Sequence, residues 1–254
     1  MTHLEVLNLV FFLGMAALSW TLRLEPSRRY RVTGLGVAGI ALTLASTWPS
    51  LLAVRDWLPL PMLLLAYWQS GPFFVRPNER LQQRLLQWDH LLLGQAAVPK
   101  PTEQMLELAY LFCYPFLPLG LAVLYAAGLR HLASFYWTAV LLPTYICYGL
   151  LPFLPTAPPR ALEPPRPAAG VRRLNQWIAR HGSIQANTFP SAHVAATMSA
   201  ALVVTLASPA VGAAFLAVAV AIAAGAVLGR YHYLADAILG AALAAASVAL
   251  LRAT

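Results

Sequence analysis

Uninterrupted apolar runs, separated by short polar breaks, dominate the pattern along the chain. A helix that crosses a bilayer needs about 20 such residues. Runs of this kind lie at residues 5–22, 33–54, 57–75, 106–129, 132–154, 192–208, 210–229 and 233–251. They predict an all-α, polytopic transmembrane helical bundle. The count is eight spans, or six or seven if the second and third, divided only by Arg55 and Asp56, form a hairpin or a broken span. The last three runs are rich in Ala and Gly, and small residues let membrane helices approach closely, so a tight bundle is expected there.

The polar breaks carry two further elements. In "VRPNERLQQRLLQWDHLLLG", Leu81, Leu85, Trp88 and Leu92 recur at helical spacing against Arg80, Arg84 and Gln87. That pattern predicts an amphipathic helix lying along the interface. The stretch after the fifth run is too rich in proline to start a regular helix, but "VRRLNQWIARH" within it predicts a short interfacial helix. The first run lacks a basic leader and reads as a span rather than a cleaved signal. No internal repeat stands out. The chain is expected to be a single membrane domain over 1–254, with its chemistry at about 155–240.

Composition agrees with the pattern. The chain is 59% hydrophobic and 10% charged, against about 25% charged in soluble domains. The net charge of +8 calls for an anionic partner. Lipid phosphates fit it, whereas nucleic acid would need a soluble basic face. Nothing points to an obligate protein partner. Cys113 and Cys147 sit inside apolar runs and read as small buried hydrophobes. No cofactor and no metal site are expected.

The candidate chemistry follows from where the polar residues stop and resume. No charge occurs from Val194 to Gly229; then "GRYHYLAD" brings Arg230, His232 and Asp236 together. The interval from His193 to His232 has the length of two crossings at 1.5 Å per residue. Both histidines therefore return to one face, and Arg160, closing the fifth run, reaches it too. His232 and Asp236, four apart, share a face on a helix. A carboxylate on one ring nitrogen leaves the other free to attack. Ser191 is placed to cap the helix that follows, whose first amides would favour an anion. Arg160 and Arg230 would clamp phosphoryl oxygens, and His193 would protonate a leaving oxygen. Taken singly, each residue has a plainer reading: an interfacial histidine, a snorkelling arginine, a structural hydrogen bond. Their convergence at membrane depth is what points to function.

These residues resemble the type 2 phosphatidic acid phosphatase superfamily. "FPSAH" is similar to its Pro-Ser-Gly-His motif, with Ala192 in the glycine position, and His232 with Asp236 matches its His-x-x-x-Asp. The resemblance implies a helical bundle with a site near the membrane surface. It implies His232 as nucleophile, Asp236 as its orienting partner and His193 as acid/base, with Ser191, Arg160 and Arg230 on the phosphate. Arg230 stands two residues before His232 rather than six, Lys100 is the only lysine, and Arg166 in "PPRP" rivals Arg160. These departures look like the branch that includes inositol phosphorylceramide synthases, which transfer phosphoryl head groups between lipids.

The leading expectation is a membrane lipid-phosphate phosphatase or phosphotransferase working through a phosphohistidine, on a lipid monoester or phosphodiester. A transporter or flippase for an anionic lipid is the alternative; no paired discontinuous spans support it. An integral protein of a bacterial inner membrane is expected. Most basic residues fall on the mouth side, leaving Arg55, Arg130 and Arg252 on the other. The positive-inside rule then puts the mouth in the cytoplasm, while family resemblance points to the periplasm.

Overall fold

The computed structural model describes residues 1–51, 54–94, 99–163 and 169–253. Within them the chain is built of helices, with no strand; a single antiparallel bridge joins Thr156 to Asn187. The N-terminal part holds α1 (His3–Thr21), α2 (Pro26–Ala45) and α3 (Pro59–Ser70). Two interfacial pieces, α4 (Glu79–Leu93) and α8 (Val171–Gly182), flank α5 (Lys100–Leu111), α6 (Cys113–Ala126) and α7 (Ala133–Leu150). The C-terminal part is α9 (Ala192–Ala207), α10 (Pro209–Leu228) and α11 (Leu234–Ala253).

By length and composition, α1, α10 and α11 are able to cross a membrane, and α5 with α6, bent by 56°, forms one further candidate. The other expected runs are occupied by α2, α3, α7 and α9, which are shorter or more polar. Two boundaries differ from the sequence pattern. α2 begins at Pro26, well before the apolar run: proline is favoured at a helix's first position, and nearby carbonyls satisfy the arginines that follow. Arg28 donates to the Pro72 and Phe74 carbonyls, and Arg29 to those of Ser19 and Leu24. α3 has only 12 residues, about 18 Å at 1.5 Å per residue, because two 3-10 turns precede it.

α9 is the central column, packed on α6, α7, α10 and α11. Its residues are nearly all small or β-branched, and most are buried. One apolar cluster surrounds Phe116, Leu121, Leu124, Tyr136 and Trp137. A second joins Phe11, Phe12, Met15, Met62 and Tyr145. The close approach expected of the Ala/Gly-rich part is visible at two glycines. A Cβ on Gly240 would lie 2.6 Å from the Ser191 carbonyl oxygen, and one on Gly225 would lie 2.3 Å from that of Leu106. The first contact seats α11 on the start of α9, which is where the candidate histidines meet.

The interfacial helices turn their polar sides inward. Asn78 caps α4 by accepting from the Leu81 amide at 3.1 Å. Leu85 and Asp89 are buried, while Trp88, Leu91 and Leu92 are exposed. In α8, Arg172 and Asn175 are buried and Leu174 and Trp177 exposed. Apolar side chains facing outward suit a bilayer interface.

Gly240→Val should push α11 off α9 and cost about 1–3 kcal/mol, as overpacking does. Gly14→Ala, with open space around it, should cost far less. Melting temperatures of the two purified variants in detergent check the contrast.

Candidate active site

Three segments make the site. The first is the connection after α7, where Thr156 pairs with Asn187 and the Arg160 amide donates to the Arg230 carbonyl at 3.0 Å. The second is the start of α9. The third is the tight turn between α10 and α11, in which the Tyr231 and His232 amides both donate to the Ala226 carbonyl at 2.9 Å. His232 therefore precedes α11 instead of lying on it, yet its Nδ1 still reaches Asp236 Oδ2 at 2.9 Å. Asn187 Nδ2 donates to the same oxygen at 2.9 Å and to Thr156 Oγ1 at 3.0 Å. With Oδ2 accepting from Asn187, His232 Nδ1 is the donor, and the lone pair of His232 lies on Nε2. That atom is 3.2 Å from His193 Nδ1.

Both histidines open into a cavity of about 400 Å³, whose walls also carry Arg160, Tyr110 and Tyr231. The Arg160 guanidinium lies over the Tyr231 ring, 4.7 Å from its centroid. That ring is stacked on Tyr110 at 4.0 Å, and Tyr110 leans on His193 at 5.6 Å. The Tyr231 hydroxyl donates to Glu107 at 2.7 Å. Glu107 also accepts from Arg172 Nε and Asn175 Nδ2 at 2.7 and 2.8 Å. Burial, with the Arg160 charge adding, lowers the His232 pKa from 6.5 to about 3. The ring is thus neutral over the ordinary pH range, as a nucleophile must be.

The structure brings His193, His232, Asp236 and Arg160 together, with Ala192 on the cavity wall. Arg230 is placed apart from them. Its guanidinium is bound by Asp89 at 2.6 Å and Glu163 at 2.8 Å, and it is not among the residues that line the cavity with His232. The two acids come from distant segments and pair with it, so in this structure the residue expected as a second phosphate clamp ties the turn to α4 and to the segment of Glu163. Arg230 also holds a left-handed backbone, φ 63°, a conformation that costs a non-glycine residue about 1–2 kcal/mol. Asp89 contributes a second bond by accepting from the Leu234 amide at 2.9 Å, at the start of α11.

Ser191 is placed as the expected cap but away from the cavity. It caps α9, accepting from the Val194 amide at 3.4 Å, but it is fully buried and its hydroxyl faces the helix, not the cavity. The Ala192 amide is taken by Thr188 Oγ1 and the Ser191 amide by the Asp236 carbonyl. The anion-binding capacity of this helix end is therefore largely satisfied from within. Arg166 lies outside the described residues. Among those described, no group of three or more His, Cys, Asp or Glu side chains is gathered as a metal site would require.

Sequence reasoning missed Asn187, Tyr231 as a platform, Asp89 and Glu107. Asn187 and Tyr231 adjoin the motifs and were visible. Asp89 and Glu107 carry no local signal, since the nearest of their side-chain partners lie more than sixty residues away.

The family model of the PAP2 superfamily matches residues 80–250. It covers more than half of the chain, from α4 through α11, and the chain belongs to this superfamily, which is of phosphatase and phosphotransferase type. No curated protein and no solved structure matches the chain.

Two outcomes are expected. The unfolded chain binds a proton on His232 at the ordinary 6.5 and the folded chain only at about 3. Folding stability should therefore fall as pH drops through that window, and His232→Gln should reduce the fall, as read by melting temperature against pH. Asp89→Ala should cost about 3–5 kcal/mol, the penalty for stranding one partner of a buried ion pair, measured by thermal denaturation in detergent.

Proposed function

We propose that this PAP2 superfamily member is an integral membrane enzyme that cleaves or transfers the phosphoryl group of a lipid phosphoester through a phosphohistidine on His232. The observation that carries the reading is the alignment of Asp236 Oδ2, His232 and His193 Nδ1 at 2.9 and 3.2 Å, with both histidines and Arg160 lining one cavity.

The chemistry follows from the proton positions. Asp236 holds the Nδ1 proton of His232, so the Nε2 lone pair is directed toward the cavity. Without substrate that lone pair accepts from His193; a phosphate entering between the rings replaces this contact. An anion bound against His193 favours its protonated form. Nε2 attacks phosphorus and a P–N bond forms as the P–O bond to the leaving group breaks. His193 gives its proton to the departing oxygen, and Arg160 takes up charge on the remaining phosphoryl oxygens. His193, now neutral, next removes a proton from water or an alcohol, whose oxygen attacks phosphorus and breaks the P–N bond. Water gives hydrolysis; a lipid alcohol gives transfer.

The charge at the site supports a phosphodiester and hence transfer, as in the branch of inositol phosphorylceramide synthases. Arg230 and Arg172 are matched by buried or half-buried acids, while Arg160, among the described residues, has no acid partner. One guanidinium balances the single negative charge of a diester better than the two of a monoester. The membrane's polarity follows the same arginines. Arg55 and Arg130 are paired with Glu5 and Asp56 at the end of the bundle where α1 begins, and the basic excess lies at the other end, with the site. That asymmetry supports a cytoplasmic mouth in a bacterial inner membrane.

With radiolabelled lipid phosphoester in detergent and EDTA, acid-labile, base-stable label should be trapped on the wild type and be absent from His232→Ala. Asp236→Asn should lower turnover by about 10²–10⁴-fold. Full activity in His232→Ala would overturn the mechanism. A lysine at Ala192 should shift preference toward monoesters; an unchanged preference would sink the diester reading.

A further inference from the structure

The cavity that holds the histidines does not end at the phosphate chemistry. It continues along α3, the helix that lies before the stretch matched by the family. α3 has two distinct faces. Met62, Ala66, Gln69 and Ser70 are buried, and Gln69 Nε2 donates to the Phe12 and Val32 carbonyls at 3.1 and 3.2 Å, fixing that side to α1 and α2. The other side, Leu60, Leu63, Leu64, Tyr67 and Trp68, lines the cavity. Leu64 and Trp68 are 46% and 41% exposed, so the outer edge of this apolar wall is uncovered, while Leu60 and Leu63, further in, also pack against the core.

Across the cavity stand Leu117 of α6 and Ala196 of α9. Ala196 is on the same face of α9 as His193, and its small side chain keeps the space open below the histidine. The mouth end is closed by α8: Trp68 Nε1 donates to the Gly182 carbonyl at 3.1 Å, and the Ile184 amide donates to the Tyr67 hydroxyl at 3.0 Å. From Leu60 to Trp68 the wall runs eight residues, about 12 Å along the helix axis at 1.5 Å per residue. One leaflet of a ~30 Å hydrocarbon core is about 15 Å deep. The apolar wall therefore reaches from the phosphate site through most of a leaflet. Leu64, Trp68 and the 47%-exposed Tyr114 of α6 flank the side on which it is open.

We propose that α3 is the specificity wall of this enzyme: the apolar chain of the phosphoester lies along Leu60, Leu63 and Leu64 while its phosphate sits between Arg160 and His232, and the depth of this wall sets the chain length accepted. The proposal rests on the lipid-phosphoester reading above. Its occupant is fixed by continuity: a molecule with one anionic end at the lone guanidinium and an uncharged remainder fits both halves of one cavity. None of the α3 residues touches the reacting atoms, so their effect is on binding and selection.

The test uses the full chain in detergent with a long-chain alcohol present as acceptor, n-alkyl phosphates and n-alkyl phosphodiesters of graded chain length as donors, and p-nitrophenyl phosphate as the chainless control. Wild type, Leu60→Trp at the deep end and Leu63→Ala midway are compared, each with a melting temperature to establish folding. The expected result is a kcat/KM that rises with chain length in the wild type. Leu60→Trp should lower it by about tenfold for the longest chains, an effect of the size hydrophobic pockets give for small changes in fit, while leaving the chainless ester within about twofold. Leu63→Ala should move the optimum toward bulkier or longer chains. Turnover in the wild type that is flat across chain lengths would overturn the wall and leave the catalytic reading standing. Loss on all substrates equally in folded Leu60→Trp would also overturn it. Absence of turnover of every ester by the wild type would remove the catalytic reading, and the wall with it.

Discussion

The arrangement of this molecule depends on one buried carboxylate. Asp236 is fully buried and ties three segments at a single point: its side chain accepts from His232 and Asn187, and its backbone carbonyl accepts from the Ser191 amide. A buried carboxyl group in a low-dielectric setting is tolerated only with partners of this kind. The demand for partners organises the neighbourhood: α11 must seat on α9, the connection from Thr156 must run beside Asn187, and the turn before α11 must present His232. Gly240, with room for no side chain against Ser191, is the packing counterpart of the same requirement.

Around that point the protein cancels most of its own charge. Arg230 is held by Asp89 and Glu163, and Arg172 by Glu103 and Glu107. Burying such pairs adds little net stability; their effect is on geometry. The first pair fastens the interfacial helix α4 to the turn that carries His232. The second fastens α8 to α5 and, through Glu107, fixes the Tyr231 hydroxyl. Among the described residues, Arg160 alone of the arginines faces the cavity, resting on an aromatic stack that also touches His193. Under the proposed function, phosphate recognition would be narrow in charge, and the remaining affinity for substrate would come from apolar contact.

That division matches the construction of the bundle. The helices that carry the candidate site, α4 to α11, fall in the stretch matched by the superfamily model, whereas α1 to α3 precede it. The N-terminal helices pack as a unit on α7 and close one side of the cavity with leucines and aromatics.

Much of this was legible in the sequence. The apolar runs determined the helices, because a bilayer leaves the backbone no other way to satisfy its own polar groups. The interval between His193 and His232 determined that they return to one face, since two crossings have a set length. The four-residue spacing of His232 and Asp236 determined their pairing, even though His232 proved to lie in a turn. Tertiary structure alone decided which arginine faces the cavity. Arg160 and Arg230 look alike in the chain, and the difference lies in Asp89 and Glu163, which only folding brings to Arg230. It also decided the inward turn of Ser191, the role of Asn187 and the exposed wall of α3. Each of these is a matter of which side of a helix meets a distant segment. Local periodicity records that a face exists, and only the packed chain shows what it meets.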